Sequence, residues 1–535
     1  MKHPSFLFII LILLAFTGAR ADNIEVSGPV SGTWSADTVF VVGDIILNSG
    51  ESLSIAPGTL VLFAGHYKFK VSGSVNAEGT ESSPIRFTIA DTTGHSDTLT
   101  TSGGWFGLEY EHLAAATDSS IFRYCVFEYG KALSADTFGM YGGAFRIFDF
   151  GKIAFRQCTF SHNMAIRWGG AVYAENADIL VDGCTFTDNR CGLSLFPWGY
   201  GGGLCSVSSG PVVINTTFEG NIATGYGGGA SFEFSDPELH HNIFTGNYGG
   251  LAGGFGFLRS TPSRVVSNNL VTGNAARFFG GGVACNRASP VFSNNTITDN
   301  HSSYGGGFYC NDSAVPLIYN SIIRGNTGFG HEVYIWDVRS APSFFYCNIE
   351  GDTSGFEGSG AHEGFAGEYV NNIDGDALFR GAGDFPYALQ PSSPCVDAGT
   401  EDTTGLQVPT TDLEGVSRVY NGRIDIGAYE RNPGQGTGEQ TASQITITAY
   451  PNPFRERLHI RGEGMKGTRC EVRITDLSGQ TVACICDIPV TRGNFLIEAD
   501  REVLQRILTY SNIYIITCYD LGNTYSVKLI NAGQQ

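Results

Sequence analysis

Tyrosine, tryptophan and phenylalanine recur in one setting of this chain, just before a Gly-Gly pair: Tyr141, Trp168, Tyr200, Tyr226, Phe279 and Tyr304, with Ala252 the exception. Rings at regular intervals can stack on one another or on the faces of sugars. Two intervals are longer than the rest. Eleven residues lie between Gly130 and Gly142 and between Asn189 and Gly201, where four or five stand elsewhere. These insertions carry Lys131, Asp136, Phe138, Tyr141, Arg190, Phe196, Trp198 and Tyr200, and Arg167 and Trp168 lie on the stretch between them. Cations beside rings suit a sugar bearing a carboxylate or sulfate. Lys131, Asp136, Tyr141, Arg167, Trp168, Arg190, Trp198 and Tyr200 are therefore the candidate ligand contacts, with Trp198 expected to be exposed. The alternative is ring-on-ring packing, with Phe196 and Trp198 folded inward.

Other chemistries find little support. No His/Cys cluster has zinc spacing, and no Gly-rich phosphate motif opens a helix. His162 and His301 merely flank a repeated Asn, and no carboxylate pair stands in a recognisable motif. No lysine occurs between Lys152 and Lys466. The expectation is no metal, no cofactor and no assignable catalytic residue. The 13 cysteines are odd in number. Cys158 and Cys184, like Cys285 and Cys310, stand one repeat apart, which leaves disulfides open beside the reading of small buried groups.

The elements that position these residues form a repeat. An apolar residue followed three positions later by Asn occurs as Phe160/Asn163, Phe186/Asn189, Phe218/Asn221, Phe244/Asn247, Val271/Asn274, Ile297/Asn300 and Ile323/Asn326. Phe127 with Gly130 begins the series and Ile349 with Asp352 ends it; most steps are 26 residues, and Gly-Gly keeps phase throughout. Runs of Val, Ile, Phe and Thr at this period mean short strands rather than helix pairs. Three strands and three turns per repeat predict a right-handed parallel β-helix of about a dozen coils over residues 38–430. The Asn suits a left-handed turn and can stack into an amide ladder. Cys125, Cys158, Cys184, Thr216, Asn242, Asn269, Asn295, Ser321 and Cys347, two residues before each apolar mark, share its inward face.

Several stretches resemble known families. Residues 52–63, 71–80, 83–88 and 104–108 resemble the opening coils of pectate-lyase-like β-helix proteins. The Gly-Gly-Ala and Phe-x-x-Asn marks resemble repeats of chlamydial polymorphic outer-membrane proteins, which are adhesins. The order Leu389-Gln-Pro-Ser-Ser-Pro-Cys-Val-Asp-Ala-Gly399, Asp412-Leu-Glu-Gly415, Arg418 and Asp425-Ile-Gly-Ala-Tyr-Glu430 is similar to the choice-of-anchor Q region that ends many secreted β-helix proteins. That likeness implies terminal coils or a cap over 376–430. Tyr450-Pro-Asn-Pro-Phe454, Val472-Arg-Ile-Thr-Asp-Leu-Ser-Gly479 and Ile513-Tyr-Ile515 resemble the type IX secretion sorting domain, which implies a small β-sandwich over 442–535 and delivery to the cell surface. The sugar-hydrolase motifs of β-helix enzymes (Asn-Thr-Asp, Asp-Asp, Gly-His-Gly, Arg-Ile-Lys) are absent.

The ends and the charge complete the outline. Lys2 and His3, the apolar run 6–16 and Ala19-Arg20-Ala21 form a signal-peptide pattern over residues 1–21, too short to span a bilayer. Residues 22–375 then hold the repeats, and 431–441 compose a flexible linker. A net charge of −20 argues against binding of nucleic acid or of acidic polysaccharide through bulk charge, and no nucleic-acid partner is expected. The expectation is an all-β chain, β-helix then β-sandwich, secreted or on the outer surface of a Gram-negative bacterium. It leans towards a non-enzyme: an adhesin, structural or glycan-binding protein whose partners are a polysaccharide or cell-surface glycan and the secretion machinery, with no transmembrane segment in the mature chain. A polysaccharide lyase or glycoside hydrolase acting on uronic-acid polymers is the alternative.

Overall fold

The computed structural model describes residues 23–431, apart from 115–116, 135–136, 193–197 and 421, and the strands within 446–530. The expected signal segment, most of the linker and Asp136 lie outside the described residues.

One repeat shows how the chain turns. Ala230–Glu233 is a strand, Phe234 takes a left-handed conformation, and Glu238–His240 is a second strand. His241 is again left-handed, Ile243–Thr245 pairs next, and Gly246 turns the chain into Tyr248–Leu251. Every one of these pairs in parallel with the strand one repeat on, as Ala230 with Phe255, Leu239 with Val266, Phe244 with Val271 and Tyr248 with Ala275. Eight successive coils, from Lys131–Ala132 to Thr327–Phe329, thus carry four strand segments where three were expected, and the chain is a right-handed parallel β-helix. Thirteen rungs stack in the second sheet, from Gly32–Trp34 to Tyr369–Val370.

The Asn ladder explains the fourth segment. Asn163 Nδ2 donates to Asn189 Oδ1 at 2.9 Å, and the same bond runs on through Asn221, Asn247, Asn274, Asn300 and Asn326. Each amide also donates to a backbone carbonyl of the preceding coil, such as Asn247 to Phe218 O at 2.8 Å. These side chains fill the corner that backbone bonds leave open, so pairing resumes at once. The left-handed residue, however, is the one before the Asn: His162, Asp188, Gly220, Gly246 and Asp299. The Asn faces inward, fully buried. A second ladder at the predicted position joins Thr216, Asn242, Asn269, Asn295 and Ser321. Cys125, Cys158, Cys184 and Cys347 occupy its outer places as buried free thiols.

Inside, Phe87, Phe127, Phe160, Phe186, Phe218 and Phe244 form one stack with ring centres 4.5–5.2 Å apart. Coil-to-coil contact is tightest at the glycines. A Cβ on Gly170 would lie 2.0 Å from Gly202 O, closer than any side chain permits. In the coil that departs from the aromatic pattern, Ala252 itself holds the left-handed place at φ 56°. Leu251, not Ala252, is therefore the position equivalent to the ring.

The expected terminal coils over 376–430 are not coils, and no strand of this segment joins the coil sheets among the described residues. The last coil is closed by Phe356, which packs against Phe344, Phe365 and Tyr369 beside a one-turn helix at Ser359–His362. Residues 376–430 instead run back along the flank as a strap. Tyr387 Oη meets Thr272 Oγ1 at 2.7 Å and Asp299 Oδ2 at 2.9 Å, and Gly427 N donates to Asn320 O at 2.7 Å. Asn268 and Asn294 donate to Thr411 O and Asp425 O. Outward-facing Ile322 is covered by Ala377, Leu389, Cys395 and Ile426, so the strap buries an apolar strip that the repeat exposes.

In the tail, Thr446–Tyr450, Arg457–Glu463 and Phe495–Asp500 form one antiparallel sheet. Thr481–Pro489, Arg469–Asp476, Ile513–Asp520 and Asn523–Ile530 form another, with Val472 and Ile474 buried. This is the pairing of a small β-sandwich.

Candidate functional site

The strands that follow the glycines turn alternate residues outward. From coil to coil one outward row reads Glu109, Arg146, Tyr173, Cys205, Ser231, and the next reads Glu111, Phe148, Glu175, Val207, Glu233. Most of this face is covered, because the rings that precede the glycines fold back over it. Tyr141 stacks on Tyr173 at 4.6 Å and packs with Phe148, Cys205 and Val207. Tyr226 lies over Gly256, where a Cβ would approach its ring to 2.2 Å, and its hydroxyl donates to Phe257 O and Ala284 O.

The predicted contacts divide into two groups. Tyr141, Arg167, Trp168, Trp198 and Tyr200 gather on this face. Arg167 Nη1 donates to Tyr141 Oη at 3.1 Å, and its guanidinium lies 5.8 and 5.6 Å from the Tyr141 and Trp168 ring centres. Trp168 Nε1 donates to Trp198 O at 3.2 Å. The Trp168 and Tyr200 rings are stacked, parallel to within 1° with centres 5.2 Å apart. Trp198 is 61% exposed, so the inward-folded alternative fails for this ring.

Lys131 and Arg190 belong elsewhere, on the short fourth strands, where Lys131 pairs with Met164 and Met164 with Arg190. Lys131 is fully buried, and its ammonium donates to Gly94 O, Asp97 O and Ser102 O at 3.2, 2.7 and 2.8 Å. Burial pushes it down to about 8. It holds the 94–102 loop to the coil and offers no donor to a ligand. Arg190 is half-buried against Met164 Sδ at 3.8 Å, and burial lowers its pKa. Lys131 belongs to the framework, a correction to its expected role.

Carboxylates are what sequence reasoning missed. Glu175 and Glu233 stand two coils apart on one row, about 9–10 Å at ~4.8 Å per strand. Glu175 accepts the Tyr173 hydroxyl at 2.6 Å. Glu233 is 5% exposed and paired with Arg259, which lies 5.0 Å from the ring centre of the exposed Phe234. Burial pushes the Glu233 carboxyl upward while Arg259 and its hydrogen bond pull it down. The signal was phase: Glu111, Glu175 and Glu233 occupy one place in the repeat, in every second coil. Nearer the N-terminal end, Glu109 and Glu111 alternate with Lys68, Lys70 and the buried Arg146 in ion pairs across coils. Burial brings Arg146 down to about 10 beneath the Phe106 ring.

A cavity of about 650 Å³ lies between strap and flank, lined by Thr217, His241, Thr272, Phe385, Tyr387 and Glu414 among others. Its principal polar groups are engaged within the protein. His241 Nε2 meets Thr411 O at 2.7 Å, and the Asp412 carboxylate accepts the amides of Glu414, Val416 and Glu430. Arg418, wholly buried, donates to Asp425 O and Gly427 O beside Glu430. The conspicuous acidic motif of the strap thus ties its own turns together.

Residues 111–254 match a family model described as a right-handed beta helix region. The chain is a right-handed β-helix repeat protein. The matched span runs from Glu111 to Gly254 and includes both insertions, Glu175 and Glu233. No curated protein matches the chain. Among the described residues of the β-helix, no helix is long and apolar enough to cross a membrane, and no group of His, Cys, Asp and Glu is placed to hold a metal.

Proposed function

We propose that this β-helix is an exported, non-catalytic protein that binds a glycan on the edge built by the two insertions. The carrying observation is Trp198, 61% exposed beside the stacked Trp168–Tyr200 pair. An exposed indole has no folding role to account for it, and rings presented to solvent next to a cation suit the apolar face of a sugar. Export rests on the signal pattern of residues 1–21 and the sorting-domain likeness of 442–535. Deleting 442–535 is expected to leave the protein in the periplasm. For binding, a glycan array with Trp198→Ala as control is the test, and equal signals for the two proteins reject this edge.

A second reading, hydrolysis of a polysaccharide, is favoured by Glu175 and Glu233. The strands that carry them lie about 9–10 Å apart, a row spacing near the carboxylate separation of inverting glycosidases, about 6.5–9.5 Å, and burial favours the protonated form of Glu233. Reducing ends released from polysaccharide by the wild-type protein but not by Glu233→Gln decide for hydrolysis.

A further inference from the structure

Three coils beyond the Tyr200 edge the rings come to the surface again. Phe278 is 42% exposed, Tyr304 39%, Phe329 54% and Trp336 46%. Tyr226, at the same place in the repeat, is only 3% exposed, so position alone does not explain the exposure. The buried Tyr309 and the half-buried Phe279 anchor this cluster. Phe279 stacks on Tyr309 at 4.8 Å and on Tyr304 at 5.3 Å, while Trp336 meets Phe279 edge-on at 5.1 Å and Phe329 meets Tyr304 edge-on at 5.9 Å.

We propose that this patch is a second glycan-binding platform, which takes an extended chain of pyranose sugars along the solenoid axis. The rings at Phe279, Tyr304 and Phe329 pair strand to strand, so they recur once per coil at ~4.8 Å, close to the advance of one pyranose unit in an extended chain. Polar groups border them as a sugar requires. Asn286 and Asn311 pair across adjacent strands on the outward face; Asn311 Oδ1 accepts the Asp312 amide at 2.7 Å, which leaves its Nδ2 to donate to a hydroxyl. Arg277 lies 5.0 Å from the Phe278 ring centre with no ion-pair partner among the described residues, whereas Arg287 and Arg339 are held by Asp312 and Asp337. A lipid surface suits the site poorly. Asp312 and Asp337 stand beside the rings, and a chain of net charge −20 is repelled by anionic headgroups.

The inference rests on the glycan reading of the first edge, so its test separates the two. Cellohexaose, xylohexaose, chitohexaose and hexagalacturonate are titrated into the full chain by calorimetry, with tryptophan fluorescence as a second readout. The expected result is that at least one of them binds, and that Phe329→Ala or Trp336→Ala weakens it about tenfold at an unchanged unfolding temperature. Phe329→Tyr restores the affinity. Loss of binding with Trp198→Ala but not with Phe329→Ala or Trp336→Ala overturns the second platform and leaves the first. Absence of binding by all four at millimolar concentration overturns both. If the platform variants instead speed proteolysis within 446–530 without changing sugar binding, the patch is occupied by the chain's own tail, and the proposal fails.

Discussion

Two residues of the expected site show how environment divides like groups. Trp198 projects into solvent, and its carbonyl accepts from Trp168 Nε1. Trp198→Ala is therefore expected to change stability by under about 0.5 kcal/mol while glycan retention falls. Thermal unfolding and affinity electrophoresis measure the two quantities. Lys131 is the reverse case. Lys131→Met removes three hydrogen bonds from a charged donor and leaves Gly94, Asp97 and Ser102 carbonyls without it. A loss of about 2–4 kcal/mol in urea unfolding is expected, with glycan affinity of the folded protein unchanged. A tryptophan and a lysine in twin insertions look alike as candidates in a sequence. What separates them is whether a loop some thirty residues upstream closes over the side chain, and local spacing does not report that.

At the scale of the element, the Asn ladder is a chain of bonds with two ends. In its middle, Asn247 donates to Asn274 Oδ1 and Phe218 O and accepts from the amide and side chain of Asn221. Asn247→Ala strips partners from both neighbours and opens a cavity, so a loss of about 3 kcal/mol or more is expected in denaturant unfolding. The ladder ends at Glu332, whose carboxylate accepts Asn326 N and Nδ2 at 3.1 and 2.5 Å. Burial raises this carboxyl from 4.5 to about 8. A raised folded pKa means that the stabilising contribution is complete below about 4.5 and lost as pH rises through about 8. Between pH 5 and 9 the wild-type chain should lose stability relative to Glu332→Gln, by the order of 1–3 kcal/mol. Denaturation midpoints of the two proteins at both pH values check this, and parallel profiles refute it. The periodicity of the Asn residues announced the ladder. Glu332 was hidden because it stands beyond the strand Thr327–Phe329, just before Val333, at a place that Gly282 and Gly307 hold in the preceding coils.

For the whole molecule, the strap determines what surrounds the solenoid. Ile426 packs with Ile322, Leu389 and Cys395 on the flank. Ile426→Ala should cost about 2–5 kcal/mol, and ending the chain at residue 375 should expose the strip and raise binding of an apolar dye. A chain that keeps its unfolding temperature after that truncation contradicts the strap's stabilising role. The cavity of about 650 Å³ at its margin is a consequence of laying an irregular segment across a regular flank.

Sequence alone was enough for most of what repeats, the fourth strand segment and the outward row of glutamates excepted. The period, the inward Phe/Ile/Val column, the paired ladders and the glycine corners all follow from one rule, that equivalent residues of successive coils meet. Such contacts are local in the repeat coordinate, so spacing reveals them; the strands of the tail were legible instead from their apolar runs and turns. Tertiary structure decided whatever breaks the repeat. It sent 376–430 along the flank instead of over the end, because an apolar strip there needed cover. It enclosed Lys131 beneath a distant loop and left Trp198 outside. It also set Glu175 and Glu233 on one outward row and raised a second aromatic patch from Phe278 to Trp336. Each of these depends on which surfaces other segments happen to bury, and burial is a property of the assembled fold rather than of any one repeat.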